Sequence, residues 1–244
     1  MITGLVNQVS GVITNVGNLY FDPFFTQGHG IYNLTGGSLY IGAGGITAFA
    51  GGGYEMNLGG GTIGAVVNWS SAVNMALTGI NGPVTFNAGG NTITLSGVLS
   101  GTGGLTVNGA GVLDLTGANT YTGDTTVTSG STLQFDTTGT SFGAIKLVTG
   151  STLNLNYSGN RIAAAAYVNG VALAVGTYNS GNLPAYITGS GKLDRPQNAI
   201  HRQFGTNAYI HLPKCDRDLQ WFHAANLLQW RYAVAPAGER KRPA

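Results

Sequence analysis

Between residues 89 and 155 apolar and polar positions alternate in short bursts that return every twenty residues. GGNTITL (89 to 95), GAGVLDL (109 to 115), SGSTLQF (129 to 135) and TGSTLNL (149 to 155) align without a gap. One column of this alignment reads Ile93, Leu113, Leu133, Leu153 and another Leu95, Leu115, Phe135, Leu155; between them stand Thr94, Asp114, Gln134 and Asn154. Apolar, polar, apolar at period two predicts a strand with one buried face. A second register carries the same offset, bringing Leu105, Thr125 and Ile145 into one column and Val107, Val127 and Leu147 into another. The frame extends more weakly back to Val73 and Met75 and forward to Leu173, Val175, Leu183, Ile187 and Leu193.

No twenty-residue unit of this kind can bury its apolar face alone. Stacking successive coils solves the problem, because each strand then pairs with its equivalent about 4.8 Å along an axis and like side chains pile into ladders. The predicted fold class is therefore all-β, a single-stranded parallel β-solenoid with coils of about twenty residues. Gly109, Gly117, Gly123 and Gly130 fall at the corners, where a positive φ is expected. Leu113, Leu115, Val127, Leu133 and Phe135 are the predicted interior.

Composition sharpens the boundaries. The chain holds 41 Gly in 244 residues and only 8% charged residues, against roughly 7% and about 25% in ordinary globular domains; without a strict triplet this favours many tight turns over collagen. Residues 1–194 carry three Lys or Arg and six Asp or Glu, whereas the remaining fifty carry eight and three, with the lone Cys, three of the four His and two of the three Trp. The expected organisation is an aromatic-rich capping region at 1–33, the repeat domain at 34–193, and an atypical basic tail at 194–244, part helical or disordered, that reads as foreign or out-of-frame sequence. Absence of Cys from the body leaves the redox compartment open. The opening residues show no basic and continuous apolar signal-peptide pattern, and no run approaches the ~20 apolar residues of a membrane span.

The segment SGVLSGTGGLTVNGAGVLDLTGANTYTGDTTVTSGSTLQF (96 to 135) resembles the autotransporter-associated β-strand repeat, also called the passenger-associated transport repeat. SGTGGL (100 to 105), GAGVLDLTGANTYTG (109 to 123) and TTVTSGSTL (125 to 133) carry the likeness, most specifically at NTYTG. Residues 58 to 97 and 167 to 193 are similar to segments that flank this repeat, so the resemblance spans roughly 34 to 193. It implies a right-handed parallel β-helix within a secreted or outer-membrane-displayed bacterial protein, where the repeat is a structural and export-assisting element and brings no catalytic residues. No β-barrel translocator follows in this chain.

Candidate chemistry is thin. Asp114 and Asp136 should both face outward at roughly 8 Å from each other by strand geometry, which overlaps the carboxylate spacing of an inverting glycosidase. Neither has a cation or aromatic platform beside it in the frame, and a solvated surface Asp is the commoner state. Calcium-binding nonapeptides lack their Asp here, and an ice-binding face lacks a second Thr column beside Thr92, Val112, Thr132 and Thr152. His29 lies among Tyr20, Phe24, Phe25 and Tyr32, an aromatic group that serves better as a cap over the solenoid end than as a sugar site. Trp69 reads as a packing residue. In the tail His211, Cys215 and His223, even with His201, do not form an established zinc spacing. Residues 216 to 235 could form a short helix with Asp216 as N-cap and Leu219, Phe222 and Trp230 near one face, and ERKRPA could attract anionic surfaces.

The sequence thus points to a non-enzymatic structural segment, a rigid stalk or spacer of a passenger protein with roles in adhesion or export, located outside the cell or at its surface. No catalytic, cofactor-binding or metal site is expected, and no cofactor. The expected partners are an extracellular glycan or a host or cell-surface component rather than nucleic acid, with the chain monomeric or part of a longer polypeptide. Two alternatives remain: a carbohydrate-active β-helix enzyme, polysaccharide lyase or hydrolase, if Asp114 and Asp136 line a cleft, and a glycan-binding adhesin using Phe24, Phe25 and Tyr32.

Overall fold

A computed structural model describes residues 2–15, 17–21, 28–49, 52–139 and 142–197. These lie in the first of two compact units, Met1–Thr206; the second, Asn207–Ala244, is outside the described residues. Outside them too are the readings made for His201, His211, Cys215, His223, the helix at 216 to 235 and ERKRPA.

The described residues contain strands and no helix. The strands form three walls in which the neighbours are successive turns of the chain paired in parallel, apart from two antiparallel additions at the C-terminal end of the second wall. The first wall has five strands, from Ile2–Gln8 to Leu99–Gly101, and the third has eight, from Asn18–Phe21 to Ile187–Gly189. The second wall is the longest, beginning at Val12–Asn15. The protein is a parallel β-solenoid, as the alternation of apolar and polar positions predicts. The stretch read as an N-terminal cap supplies strands to all three walls, since Ile2–Gln8 pairs with Gly28–Leu34, Val12–Asn15 with Ser38–Ile41, and Asn18–Phe21 with Gly45–Ala48.

The twenty-residue offset holds where it was clearest. Ile93, Leu113, Leu133 and Leu153 lie opposite one another on the third wall, as do Leu95, Leu115, Phe135 and Leu155, and all are buried. The second register is equally regular, with Leu105, Thr125 and Ile145 in one column and Val107, Val127 and Leu147 in the next. Each fully buried Leu contributes roughly 1.5–3 kcal/mol of transfer free energy, so the ladders are the main cohesive element.

At both ends the frame changes length. Ile93 lies opposite Trp69 and Leu95 opposite Ser71, a spacing of twenty-four residues rather than the expected pairing with Val73 and Met75. The additional residues sit in corners: TGINGP (78–83) separates Met75–Leu77 from Val84–Asn87, where only three residues separate Leu99–Gly101 from Leu105–Asn108. Val73 and Met75 remain interior, but at the corner and on the first wall. Toward the C-terminus Leu153 lies opposite Ile187 and Leu155 opposite Gly189, so Leu173 and Val175 are not ladder positions. The intervening chain forms the strand Asn160–Val168 and two antiparallel additions, Val171–Ala172 and Gly176–Tyr178. Leu193 is buried, but it lies on the second wall opposite Arg161 and not in the third-wall column of Leu153.

Corner glycines divide into two kinds. Gly109 and Gly130 adopt positive φ, 89° and 76°, the left-handed region that an L side chain resists. Gly117 and Gly123 do not, contrary to expectation, and are required by close stacking: a Cβ at Gly117 would stand 2.6 Å from the Gly97 carbonyl oxygen, and one at Gly123 would strike the Gly103 backbone.

Candidate functional site

The most specific sequence signature, NTYTG at 119–123, forms the corner that takes over the first wall once its strands end. Leu99–Gly101 is the last strand there, and its carbonyls are capped by the next turn of chain: Thr120 and Tyr121 N–H donate to the Leu99 oxygen, at 2.8 and 3.1 Å, and Thr122 N–H donates to the Gly101 oxygen at 2.9 Å. Asn119 is buried and works in both directions. Its Oδ1 accepts the Leu99 N–H at 2.7 Å, and its Nδ2 donates to the Gly117 carbonyl at 2.9 Å. Tyr121 points inward, its hydroxyl 2.9 Å from Thr125 Oγ1 in the core. Its phenol is pushed above the ordinary range by burial, with Arg161 and the Thr125 contact opposing. Asn119 is therefore interior because it satisfies a backbone N–H that a leaner corner would orphan, and the buried Tyr121 and Thr125 hydroxyls satisfy each other.

A family comparison falls on this same unit. Residues 105–135 match the passenger-associated-transport-repeat. The match covers the second-wall strand Leu105–Asn108, the third-wall strand Val112–Leu115, the NTYTG corner and the pair of strands that follow. It agrees with the resemblance read from NTYTG and TTVTSGSTL, while SGTGGL (100 to 105) touches the match only at Leu105. No curated protein and no solved structure matches the chain. In physical terms the matched residues make about one and a half coils of solenoid, with two strands on each of the second and third walls and a hydrogen-bonded corner on the side of the first. Asn119→Ala should therefore cost about 1–3 kcal/mol, read as a lowered denaturation midpoint, because it leaves the buried Leu99 N–H without its acceptor.

Asp114 and Asp136 are brought together, more closely than expected. Gln134, opposite Asp114 on the third wall, donates through Nε2 to Asp114 Oδ1 at 3.1 Å and to Asp136 Oδ1 at 3.0 Å. The two carboxylates can be no farther apart than these bonds laid end to end, which is closer than the roughly 8 Å expected from strand geometry. The space that an inverting pair leaves for water holds the Gln134 amide instead. Asn154 Nδ2 donates to Gln134 Oε1 at 2.7 Å and Asn156 Nδ2 to Asp136 Oδ1 at 3.0 Å, so the group is a polar ladder along an outer wall.

Burial, and next the Asp136 charge, raise the Asp114 pKa, while the Gln134 amide lowers it. A carboxyl whose folded pKa is raised stabilises most below its unfolded value, about 3.9, and loses that contribution as pH rises through the folded value. Asp114→Asn should therefore remove the decline in stability that accompanies ionisation of this carboxyl and leave the protein slightly more stable at pH 7. Solvent screening of this half-exposed group keeps the gain below about 1 kcal/mol. Denaturation midpoints of both proteins across pH 3 to 7 check this.

Asp124 has the opposite sign. Burial pushes its pKa up, but the Lys146 ammonium at 2.7 Å and the Ala144 N–H at 2.8 Å outweigh it and hold the carboxyl below its ordinary value. Its contribution is present above the unfolded pKa and is lost as pH falls through the folded one.

The aromatic group near the N-terminus separates. Phe24 and Phe25 lie outside the described residues. Tyr32 is buried, its hydroxyl donating to Gln8 Oε1 at 2.7 Å, so it cannot belong to an exposed sugar platform. Trp69 is a packing residue, 4% exposed. His29 faces outward on the first wall with Nε2 3.2 Å from Glu55 Oε1. Among the described residues no three His, Cys, Asp or Glu side chains gather as a metal site, and no helix is long and apolar enough to cross a membrane.

Arg161 is the residue that sequence reasoning missed. It is 1% exposed, with its guanidinium 3.8 Å above the Phe135 ring and 5.1 Å from that of Phe142. Nη1 donates to the carbonyls of Thr137 and Thr138 at 3.0 and 2.9 Å. Nothing in the linear pattern marks it, because its column on the second wall belongs to the coil in which the twenty-residue frame breaks.

Proposed function

We propose that this chain is a rigid spacer segment of a secreted or surface-displayed bacterial passenger protein. The observation that carries this reading is the match of residues 105–135 to the passenger-associated-transport-repeat, placed in the most regular part of the solenoid. Continuous ladders support it: the third wall stacks eight strands, a span of roughly 34 Å at about 4.8 Å per strand, in which every coil is braced by its neighbours. A role in adhesion or in assisting export belongs to the same proposal, since a fold that grows coil by coil can propagate as chain emerges.

The test is a display assay. The chain is placed between a signal peptide with an epitope tag and an outer-membrane β-barrel translocator, and surface exposure of the tag is followed by added protease. Surface exposure of the tag is the expected result, with folded coils protected from cleavage. Retention inside the cell, or display as a fully protease-sensitive chain, would overturn the reading.

A further inference from the structure

One outer column of the first wall runs Asn7, Asn33, Asn57, Ala76, Ser100. The three asparagines form an amide ladder. Asn57 Nδ2 donates to Asn33 Oδ1 at 2.9 Å, and Asn33 Nδ2 donates to Asn7 Oδ1 at 2.7 Å. A planar amide that donates toward one side presents its oxygen to the other, so Asn57 Oδ1 faces the Ala76 rung, where the methyl group offers no donor. The ladder stops there, leaving a groove of about 240 Å³ bordered by Glu55, Asn57, Asn74, Ala76 and Ser100.

We propose that this step is a binding subsite for one neutral sugar residue. Its rim combines acceptors and donors in the way a polyol requires. The acceptors are Asn57 Oδ1 and the Glu55 carboxylate, which is oriented by His29 Nε2 at 3.2 Å and by Asn57 Nδ2 at 3.4 Å. The donors are the Ser100 hydroxyl and Asn74 Nδ2, whose partner oxygen Oδ1 is fixed by the Val98 N–H at 2.8 Å. Asn57 and Ser100 stand two rungs apart, roughly 9.5 Å between backbones, with Ala76 as the floor. Hydroxyls both give and accept hydrogen bonds, so vicinal hydroxyls satisfy both sets at once. Among the described residues Glu55 is the one charged residue lining the groove, which selects against acidic sugars. The volume lies below the roughly 300–1,000 Å³ of drug-sized sites, so it suits a single ring held weakly, at about millimolar affinity. This subsite stands independently of the spacer reading, because its test reads binding and not display.

The experiment is an NMR titration of the full chain with glucose, galactose and mannose and with their methyl glycosides. Saturable shifts of the Asn57 and Asn74 side-chain amides are expected. Binding of a glycoside marks a glycan terminus as the source, and binding confined to a free sugar marks a soluble one. Ala76→Asn continues the amide ladder, fills the groove and should abolish the shifts while leaving thermal unfolding no lower. Glu55→Gln keeps the shape and should weaken binding about five-fold by removing a charge-assisted acceptor. Absence of saturable shifts with all six compounds would overturn the proposal. So would unchanged affinity in a folded Ala76→Asn protein or, should that variant fail to fold, in Glu55→Gln.

Discussion

Leu133→Asp should lower stability by more than about 4 kcal/mol, the range reserved for a buried, unpaired charge in a packed core. Leu133 is fully buried between Leu113 and Leu153, so the new carboxylate would meet aliphatic groups on both axial sides. Such a carboxyl has a strongly raised pKa; its damage therefore lessens as pH falls far enough to protonate it, which separates the charge from the lost packing. Leu133→Ala, which removes packing alone, should cost about 2–5 kcal/mol with no such pH dependence. Because neighbouring coils stabilise one another, amide-exchange protection should fall together in the strands Val112–Leu115, Thr132–Phe135 and Thr152–Leu155. An Asp variant that unfolds at the wild-type denaturant concentration would show that this ladder does not hold the solenoid together.

The same ladder explains how much was legible in the sequence. Where coils are identical in length, as from Thr92 to Leu155, stacking requires like residues at a fixed offset, and the offset prints the register directly. Where a corner takes in extra residues, as at 78–83, wall positions are unchanged but the numerical frame is lost, so a constant offset of twenty points to Val73 and Met75 where Trp69 and Ser71 stand. The long excursion between Leu155 and Ile187 hides its pairing for the same reason. Glycine is ambiguous in a different way: Gly109 and Gly117 look alike in sequence, yet one serves φ and the other a close backbone approach. For the candidate sites, alternation placed Asp114 outward, but the Gln134 amide that joins it to Asp136 depends on side-chain reach across a rung. The amide column Asn7, Asn33, Asn57 escaped notice because its spacings of twenty-six and twenty-four residues differ from those of the repeat.

Arg161→Ala should be the second most damaging change, at about 3–5 kcal/mol, comparable to deleting a large aromatic core residue. Among the described residues the guanidinium has no acidic partner: its two carbonyl partners and the Phe135 and Phe142 rings supply the stabilisation that an acidic residue would give elsewhere. Burial pulls its pKa down, while Tyr121 and Tyr157 push it back up. Removing the side chain opens a void beside two rings and leaves the Thr137 and Thr138 carbonyls short of a donor, so packing and polar satisfaction fail together. Arg161→Met separates them, because it refills much of the volume but donates nothing, and should cost about 1–3 kcal/mol. Arg161→Lys supplies charge and donors without the flat face that lies on Phe135, and should fall between the two. If chemical denaturation gave Arg161→Ala within about 1 kcal/mol of the parent, Arg161 would be a passenger in the core rather than one of its supports. If Arg161→Met matched the parent, the rings and volume would account for its burial and the two hydrogen bonds would carry no net stability.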